Sequence, residues 1–579
     1  MFRRRHFARH NFSIIAIRLI FVAIFIILVG RLFDLQIRQH DDFIKEAEAI
    51  HETTAIVKSE RGKIYFQDKN GNEYPLAINK KYYTVYVVPK EIEEPEVVIN
   101  KLSQLLSLTV DEVASHVNKP NDPYEEIKKR IDDENIINQI QELKLKGVYL
   151  KSENYRFYPF NSLASQTIGF VAEADDGQIK GRYGLELYYD DILSGRSGVF
   201  TGVRDAFGRL VRSVFSHEES AKEGADLITT LDKNIQFSAE EILKELIEKR
   251  DATKGSLIVM EAKTGKILAL ANYPTFNLNE FNKVTNYSVF RNYAAEDRYE
   301  PGSIVKSLTM AAALDLGLVT PDTTYDDKGY YLLPDGRKLI NYNNEVYGKN
   351  ITMTRVLERS INTGAIFVGQ KLGAERLRQY FKKFGLDKVT GIDLPNEIAG
   401  DLSNLEYPKV NLAYLSTASY GLGIAITPLE LLKAYSAISN KGLMVTPYLV
   451  AAIRDSNNVI TPVTVPEPER VLSEKTAETL SNMLVSVVLN GFGINTKIKG
   501  YSTGGKTGTA FIPKGKGYSE DMIHTYIGYF PASDPQYLIL VKMDRPLATS
   551  DSASHTVTIA FKQMEQFLIN YFNIPPDEK

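Results

Sequence analysis

The sequence predicts an α+β protein set behind one membrane-spanning helix, and three observations carry that expectation. An apolar run over residues 14–30, broken only by Arg18, follows the cluster Arg3, Arg4, Arg5 and Arg9. A polar stretch of short strand-like and helical pieces then extends to Glu223. Beyond Gly224, strand-like segments flank a long helical middle, which predicts an antiparallel sheet with helical layers. The 579 residues exceed what one core usually holds, so more than one domain is expected.

The N-terminal element sets the compartment. A spanning helix needs about 20 mostly apolar residues, and residues 14–37 suffice if Arg18 and Arg31 snorkel to opposite interfaces. The arginines ahead of it place residues 1–13 in the cytoplasm and everything after about Arg38 outside. A cleaved signal peptide would show a small-x-small site after the apolar core. Gly30-Arg31-Leu32-Phe33-Asp34 stands there instead, so an uncleaved signal anchor is expected. No later hydrophobic stretch reaches spanning length, which makes the chain single-pass.

Residues 38–223 form the second expected part, an elongated mixed pedestal. Residues 82–88 are rich in β-formers and predict a strand. Residues 125–146 are charged, with apolar side chains at helical spacing, and predict a helix. Gly177, Gly181, Gly184, Gly195, Gly198, Gly202 and Gly208 predict hairpins or extended excursions. No reactive cluster stands out, so a structural or protein-contact role is expected here.

The third part, residues 224–579, begins with a strand over 226–232 leading into a helix over 235–249. Residues 255–261 and 266–271 predict a hairpin around Lys263-Thr264-Gly265. Helices follow over 430–439 and 474–489, then strands over 524–530 and 536–543. An amphipathic helix over 559–572 ends before Pro575.

Composition narrows the chemistry. Hydrophobic residues at 44% and charged residues at 24% are ordinary for a globular protein. A net charge of −3 argues against a nucleic-acid partner. Without cysteine there is no disulfide scaffold, zinc-thiolate site or cysteine nucleophile. The eight histidines show no HExxH or other compact metal spacing, so neither a metal nor another cofactor is expected.

Three short motifs carry candidate chemistry. In Ser303-Ile304-Val305-Lys306, Pro301 and Gly302 break the chain just before an apolar helical run. Ser303 then sits in a first turn, where free N–H groups and the helix dipole favour developing negative charge. Lys306 shares its helix face and can reach the hydroxyl as the base a serine nucleophile needs. Ser303 could equally be a plain helix cap. Ser360-Ile361-Asn362 follows a helical run and could project into a cleft, unlike Ser152-Glu153-Asn154 and Ser456-Asn457-Asn458. Lys506-Thr507-Gly508-Thr509 would line a cleft with an ammonium and a hydroxyl on a strand, while Gly508 lets backbone approach a ligand. Residues 500–507 also match the nucleotide-binding GxxxxGK[ST] loop, but Pro513 and Gly515 forbid the helix that loop requires.

SxxK, SxN and KTG in this order resemble the penicillin-interacting serine acyl-transferases. Arg61-Gly62-Lys63-Ile64, Gly184-Leu185-Glu186, Ser419-Tyr420-Gly421 and Thr427-Pro428-Leu429 narrow the resemblance to class B penicillin-binding proteins, over nearly the whole chain. Tyr299-Glu300-Pro301-Gly302 looks more like the division type than the elongation type. The resemblance implies a dimerisation-type pedestal, a C-terminal transpeptidase domain and anchorage in a bacterial cell membrane. It implies Ser303 as nucleophile, Lys306 as base, Ser360 and Asn362 as proton-transfer and substrate contacts, and Lys506 and Thr507 as carboxylate ligands. Gly508 would allow close approach, and the N–H groups of Ser303 and Thr509 would form an oxyanion hole. The implied partners are peptidoglycan stem peptides, β-lactams, and a membrane glycan polymerase with other division or elongation proteins. A β-lactamase, a D,D-carboxypeptidase and a catalytically silent division scaffold are the alternatives.

Overall fold

The computed structural model describes residues 5–41, 52–57, 59–175, 177–204, 210–211, 217–515, 517–547 and 552–578. Arg3, Arg4 and Gly208 lie outside these residues. The chain divides into two compact units, residues 1–60 with 195–223 and residues 61–194 with 224–579.

The first unit holds the N-terminal helix Arg5–Phe33, continued by a wider π-helical turn over Asp34–Arg38. Its span Ile15–Arg38 contains 24 residues, about 36 Å at the usual helical rise, enough to cross a bilayer. None of that span is buried by the rest of the protein among the described residues. Asp34 pairs with Arg31 at 2.9 Å near the end of the run. The unit also contains antiparallel pairing of Gly198–Arg204 with Glu52–Val57 and with His217–Glu219.

In the second unit, Asp226–Asp232 runs antiparallel to Val450–Arg454 and parallel to Ile64–Gln67. The sheet continues through Glu73–Val87, which pairs with both Glu125–Ile131 and Val148–Phe157. The residues expected as one helix over 125–146 therefore split into the strand Glu125–Ile131 and the helix Glu134–Leu143. Ile127 and Ile131 stand four apart, which fits a helix, but pairing with Glu73–Val87 makes the segment a strand with Ile131 buried. Helices Pro95–Leu106, Val110–Val117 and Glu134–Leu143 cover this end through Leu102, Val113 and Ile137 against Val85 and Val87.

A second, five-stranded sheet runs in the order Ile267–Tyr273, Lys254–Glu261, Tyr537–Asp544, Gly517–Phe530, Gly504–Lys514, all antiparallel. The strands Ile267–Tyr273, Lys254–Glu261 and Tyr537–Asp544 are buried nearly throughout because both faces are covered, whereas the hairpin of Gly504–Lys514 and Gly517–Phe530 runs out to an exposed end. Leu257, Val259, Ile539 and Val541 pack against Leu243 and Phe561 of helices Lys233–Lys249 and Val557–Phe572. The alternate residues Ile258, Met260, Leu538 and Leu540 join the core containing Leu308, Leu432 and Leu480. Those belong to helices Val305–Asp315, Pro428–Ser439 and Glu474–Asn490. The same core takes in Ile64, Phe66, Leu185 and Leu193, so apolar packing runs across Gly224 without a break.

The motifs away from the expected chemistry are structural. Glu186 is fully buried and accepts hydrogen bonds from Arg61 and Arg156, each at 2.7 Å. Burial pushes its carboxyl up, and the two guanidiniums outweigh that and hold it below the usual range. Thr427 and Glu430 form a reciprocal capping box at the start of Pro428–Ser439, with Pro428 in the first turn. The early Lys263-Thr264-Gly265 is the turn of a hairpin, with Gly265 at φ +85°.

Candidate active site

Ser303 lies in a short 3-10 turn, Gly302–Ile304, that runs directly into the helix Val305–Asp315. Two backbones crowd this turn. Gly302 N–H donates to Gly421 O at 3.0 Å, and a Cβ on Gly421 would sit 2.1 Å from Gly302 O. On the other side, a Cβ on Gly508 would meet Pro301 O at 2.7 Å. Glycine at both places lets the strand Gly504–Lys514 and the turn after Ala418 close on the serine.

Ser360 follows the helix Met353–Glu358 and adopts a left-handed backbone, φ 53°, unusual for a residue with a side chain. That geometry turns Ser360 toward two buried ammonium groups. Lys506 Nζ donates to Ser360 Oγ at 3.1 Å and to Thr507 O at 3.1 Å. Lys306 Nζ donates to Ser360 Oγ at 3.2 Å, to Asn362 Oδ1 at 2.7 Å and to the Ser360 carbonyl. Lys306 Nζ is thus bonded to the SxN motif, more than fifty positions away in sequence. Three acceptors on the Ser360–Asn362 segment offer the ammonium more than one hydroxyl can.

Electrostatics favour a free amine here. Burial holds the Lys306 ammonium well below its ordinary range, and the positive charge of Lys506 pushes in the same direction. Burial alone brings Lys506 down to about 7. A lysine so displaced can accept a proton near neutral pH, which an exposed lysine does poorly.

Ser303, Ser360, Asn362, Thr507 and Thr509 line one cavity of about 110 Å³. Gly508 lies between the last two on the same strand, packed against Pro301 and Ile304. Thr509 Oγ1 accepts from Ala553 N–H at 3.3 Å, which ties the strand to the segment carrying Ser552 and Ser554, two more lining residues. Ser152-Glu153-Asn154 lies within the strand Val148–Phe157, and Ser456 to Asn458 forms the turn between Val450–Arg454 and Ile460–Pro462.

The same cavity is lined by residues that no motif announces: Asn341, Tyr342, Glu345, Tyr347, Arg359 and Phe492. Buried Asp327 organises the segment from Asn341 to Tyr347, accepting from Thr363 Oγ1 at 2.7 Å, Tyr347 N–H at 2.7 Å and Asn341 Nδ2 at 3.1 Å. Asn362 Nδ2 in turn donates to Ile340 O at 2.9 Å. Only Arg359, adjacent to Ser360, could have been picked out from the sequence.

Comparison with known proteins agrees with this architecture. Residues 255–565 match the family described as penicillin binding protein transpeptidase domain, and residues 56–229 match the penicillin-binding protein dimerisation domain. The chain is 33% identical to stage V sporulation protein D of Bacillus subtilis over 539 residues, 91% of this chain and 81% of the relative. It is 28% identical to peptidoglycan D,D-transpeptidase FtsI of Escherichia coli over 564 residues, 95% of this chain and 90% of the relative. Penicillin binding protein 3 of Mycobacterium tuberculosis, solved with aztreonam, superposes with a TM-score of 0.69 at 25% identity. That match covers 90% of this chain and 98% of the solved one.

Proposed function

Because the chain belongs to the penicillin-binding protein transpeptidases of class B, we propose that it crosslinks peptidoglycan stem peptides through an acyl-enzyme on Ser303. One observation carries the assignment of roles: two buried, pKa-depressed lysines share the hydroxyl of Ser360 beside the serine turn.

In this reading the neutral amine of Lys306, relayed by Ser360, takes the proton from Ser303 Oγ. The oxygen attacks the carbonyl carbon of the penultimate D-Ala, and the N–H groups of Ser303 and Thr509 receive the oxyanion. The C–N bond to the terminal D-Ala breaks and its nitrogen takes the proton. Lys506 and Thr507 hold the terminal carboxylate, and Asn362 holds the peptide backbone. An amine from a second stem peptide then attacks the acyl carbon, forming the crosslink and returning the proton to Ser303.

The N-terminal helix is of spanning length, and its flanking arginines support a cytoplasmic N-terminus with the catalytic unit outside. The FtsI relative and the Tyr299-Glu300-Pro301-Gly302 motif support a septal site of action, beside a membrane glycan polymerase. Labelling with a fluorescent penicillin followed by peptide mapping tests the nucleophile. The adduct should lie on the peptide containing Ser303 and disappear in Ser303→Ala, and an adduct that persists there would overturn the assignment.

A further inference from the structure

The cavity that Ser303 and Thr507 line also holds one cation and one anion, Arg359 and Glu345, with Phe492 in the same lining. Among the described residues, the Arg359 guanidinium has no hydrogen-bond or ion-pair partner, although it is half-buried. Arg359 and Tyr347 line the same cavity, and while burial and the Glu345 carboxylate push the Tyr347 hydroxyl up, the Arg359 charge opposes them. That hydroxyl donates to the Glu345 carboxylate and holds it in place. The Glu345 backbone carbonyl is itself fixed by Asn341 Nδ2 at 3.1 Å, so the acid sits on the Asp327-organised segment.

A guanidinium without a partner, a tethered carboxylate and an apolar ring in one lining complement a particular chemical group. They match a short methylene chain ending in a carbon that bears both an ammonium and a carboxylate. A lysine side chain would satisfy Glu345 and leave Arg359 unpaired, whereas a diamino dicarboxylic acid would satisfy both. Lys506 and Thr507 are already engaged by the terminal carboxylate in the reaction proposed above.

We infer that Arg359 and Glu345 form a specificity subsite for the zwitterionic side-chain end of a diaminopimelate-type third residue in the donor stem peptide. This rests on the proposed transpeptidase reading, and the test separates the two. Acylation of the full-length protein is followed with two pentapeptides ending in D-Ala-D-Ala, one with diaminopimelate and one with lysine as third residue. Wild type should prefer the diaminopimelyl peptide by about tenfold in kcat/KM, the scale of one partly exposed charge-assisted contact. Arg359→Gln should collapse that ratio toward one, and Arg359→Lys should restore part of it. Glu345→Gln should lower both peptides by a similar factor and leave the ratio in place. A third peptide, with the side-chain carboxylate converted to a carboxamide, should fall to the level of the lysyl peptide on wild-type protein, so the test holds even if the Arg359 variants fold poorly. Equal rates for the three peptides on wild type, or a ratio unchanged in Arg359→Gln, would overturn the subsite. No adduct on Ser303 with any peptide would instead overturn the transpeptidase reading.

Discussion

Two lysines on one serine hydroxyl are a costly arrangement unless at least one gives up its proton. Lys306 and Lys506 are both buried, and the second pushes the first down. If neutral Lys306 is the base, activity rises with pH as its ammonium deprotonates. Replacing Lys506 by glutamine removes the repulsion, raises the Lys306 pKa and shifts the rising limb of the rate of penicillin acylation to higher pH. We expect the limb to move to higher pH and the rate near pH 7 to fall several-fold. Stopped-flow acylation across pH measures this, and a limb that stays in place would exclude the electrostatic role. These residues were legible from sequence because each motif keeps its reactive groups within a few positions. The bonds that hold the Lys306 amine do not follow from the serine–lysine spacing. Three acceptors from the Ser360–Asn362 segment, distant in sequence, claim its amine. The lining segment of Asn341 and Glu345 left no local trace, since Asp327 holds it through contacts that span up to 36 positions.

At the level of elements, the serine turn is held by backbone contacts rather than by its own helix. Gly421 is at φ +89°, a conformation side chains rarely adopt, and its Cα faces Gly302 O. A methyl at Gly421 must push Gly302 away and tilt the turn that carries Ser303. We expect Gly421→Ala to cost about 1–3 kcal/mol from strain and overpacking, and to slow penicillin acylation more than a general loss of stability explains. Thermal unfolding and acylation kinetics on the same sample separate the two, and an acylation rate unchanged below the melting range would show that the turn is positioned otherwise. Sequence reading found the major helices and strands of the later part because they are long, apolar and periodic. It misread residues 125–131, where the charged side chains have weak intrinsic preference and the partner strand Glu73–Val87 lies some forty positions upstream.

Across the whole molecule, the division of chemistry and the division of packing fall in different places. Every candidate reactive residue lies after Gly224, yet the strand Asp226–Asp232 completes a sheet with Ile64–Gln67 on one side and Val450–Arg454 on the other. Ile64 and Phe66 are fully buried, and with Leu185 and Leu193 they belong to the core that also holds Leu308 of the serine helix. The buried carboxylate of Glu186, bridging Arg61 and Arg156, locks that earlier segment onto itself. A chain beginning at Gly224 would keep all the motifs but expose the apolar surface those residues cover. Fully burying one large aliphatic side chain is worth roughly 1.5–3 kcal/mol, so losing several at once exceeds the margin of most domains. We therefore expect a chain lacking only the membrane helix to bind penicillin with a cooperative unfolding transition. The chain from Gly224 onward should show a transition that is broadened or lowered by well over 10 °C, or none, since about 1 kcal/mol already shifts a domain of this size by a few degrees. Calorimetry of the two, with penicillin labelling of each, measures the difference. Matching transitions would mean that the sheet strand and core residues ahead of Gly224 contribute little, and that the catalytic part folds independently of the segment it packs on.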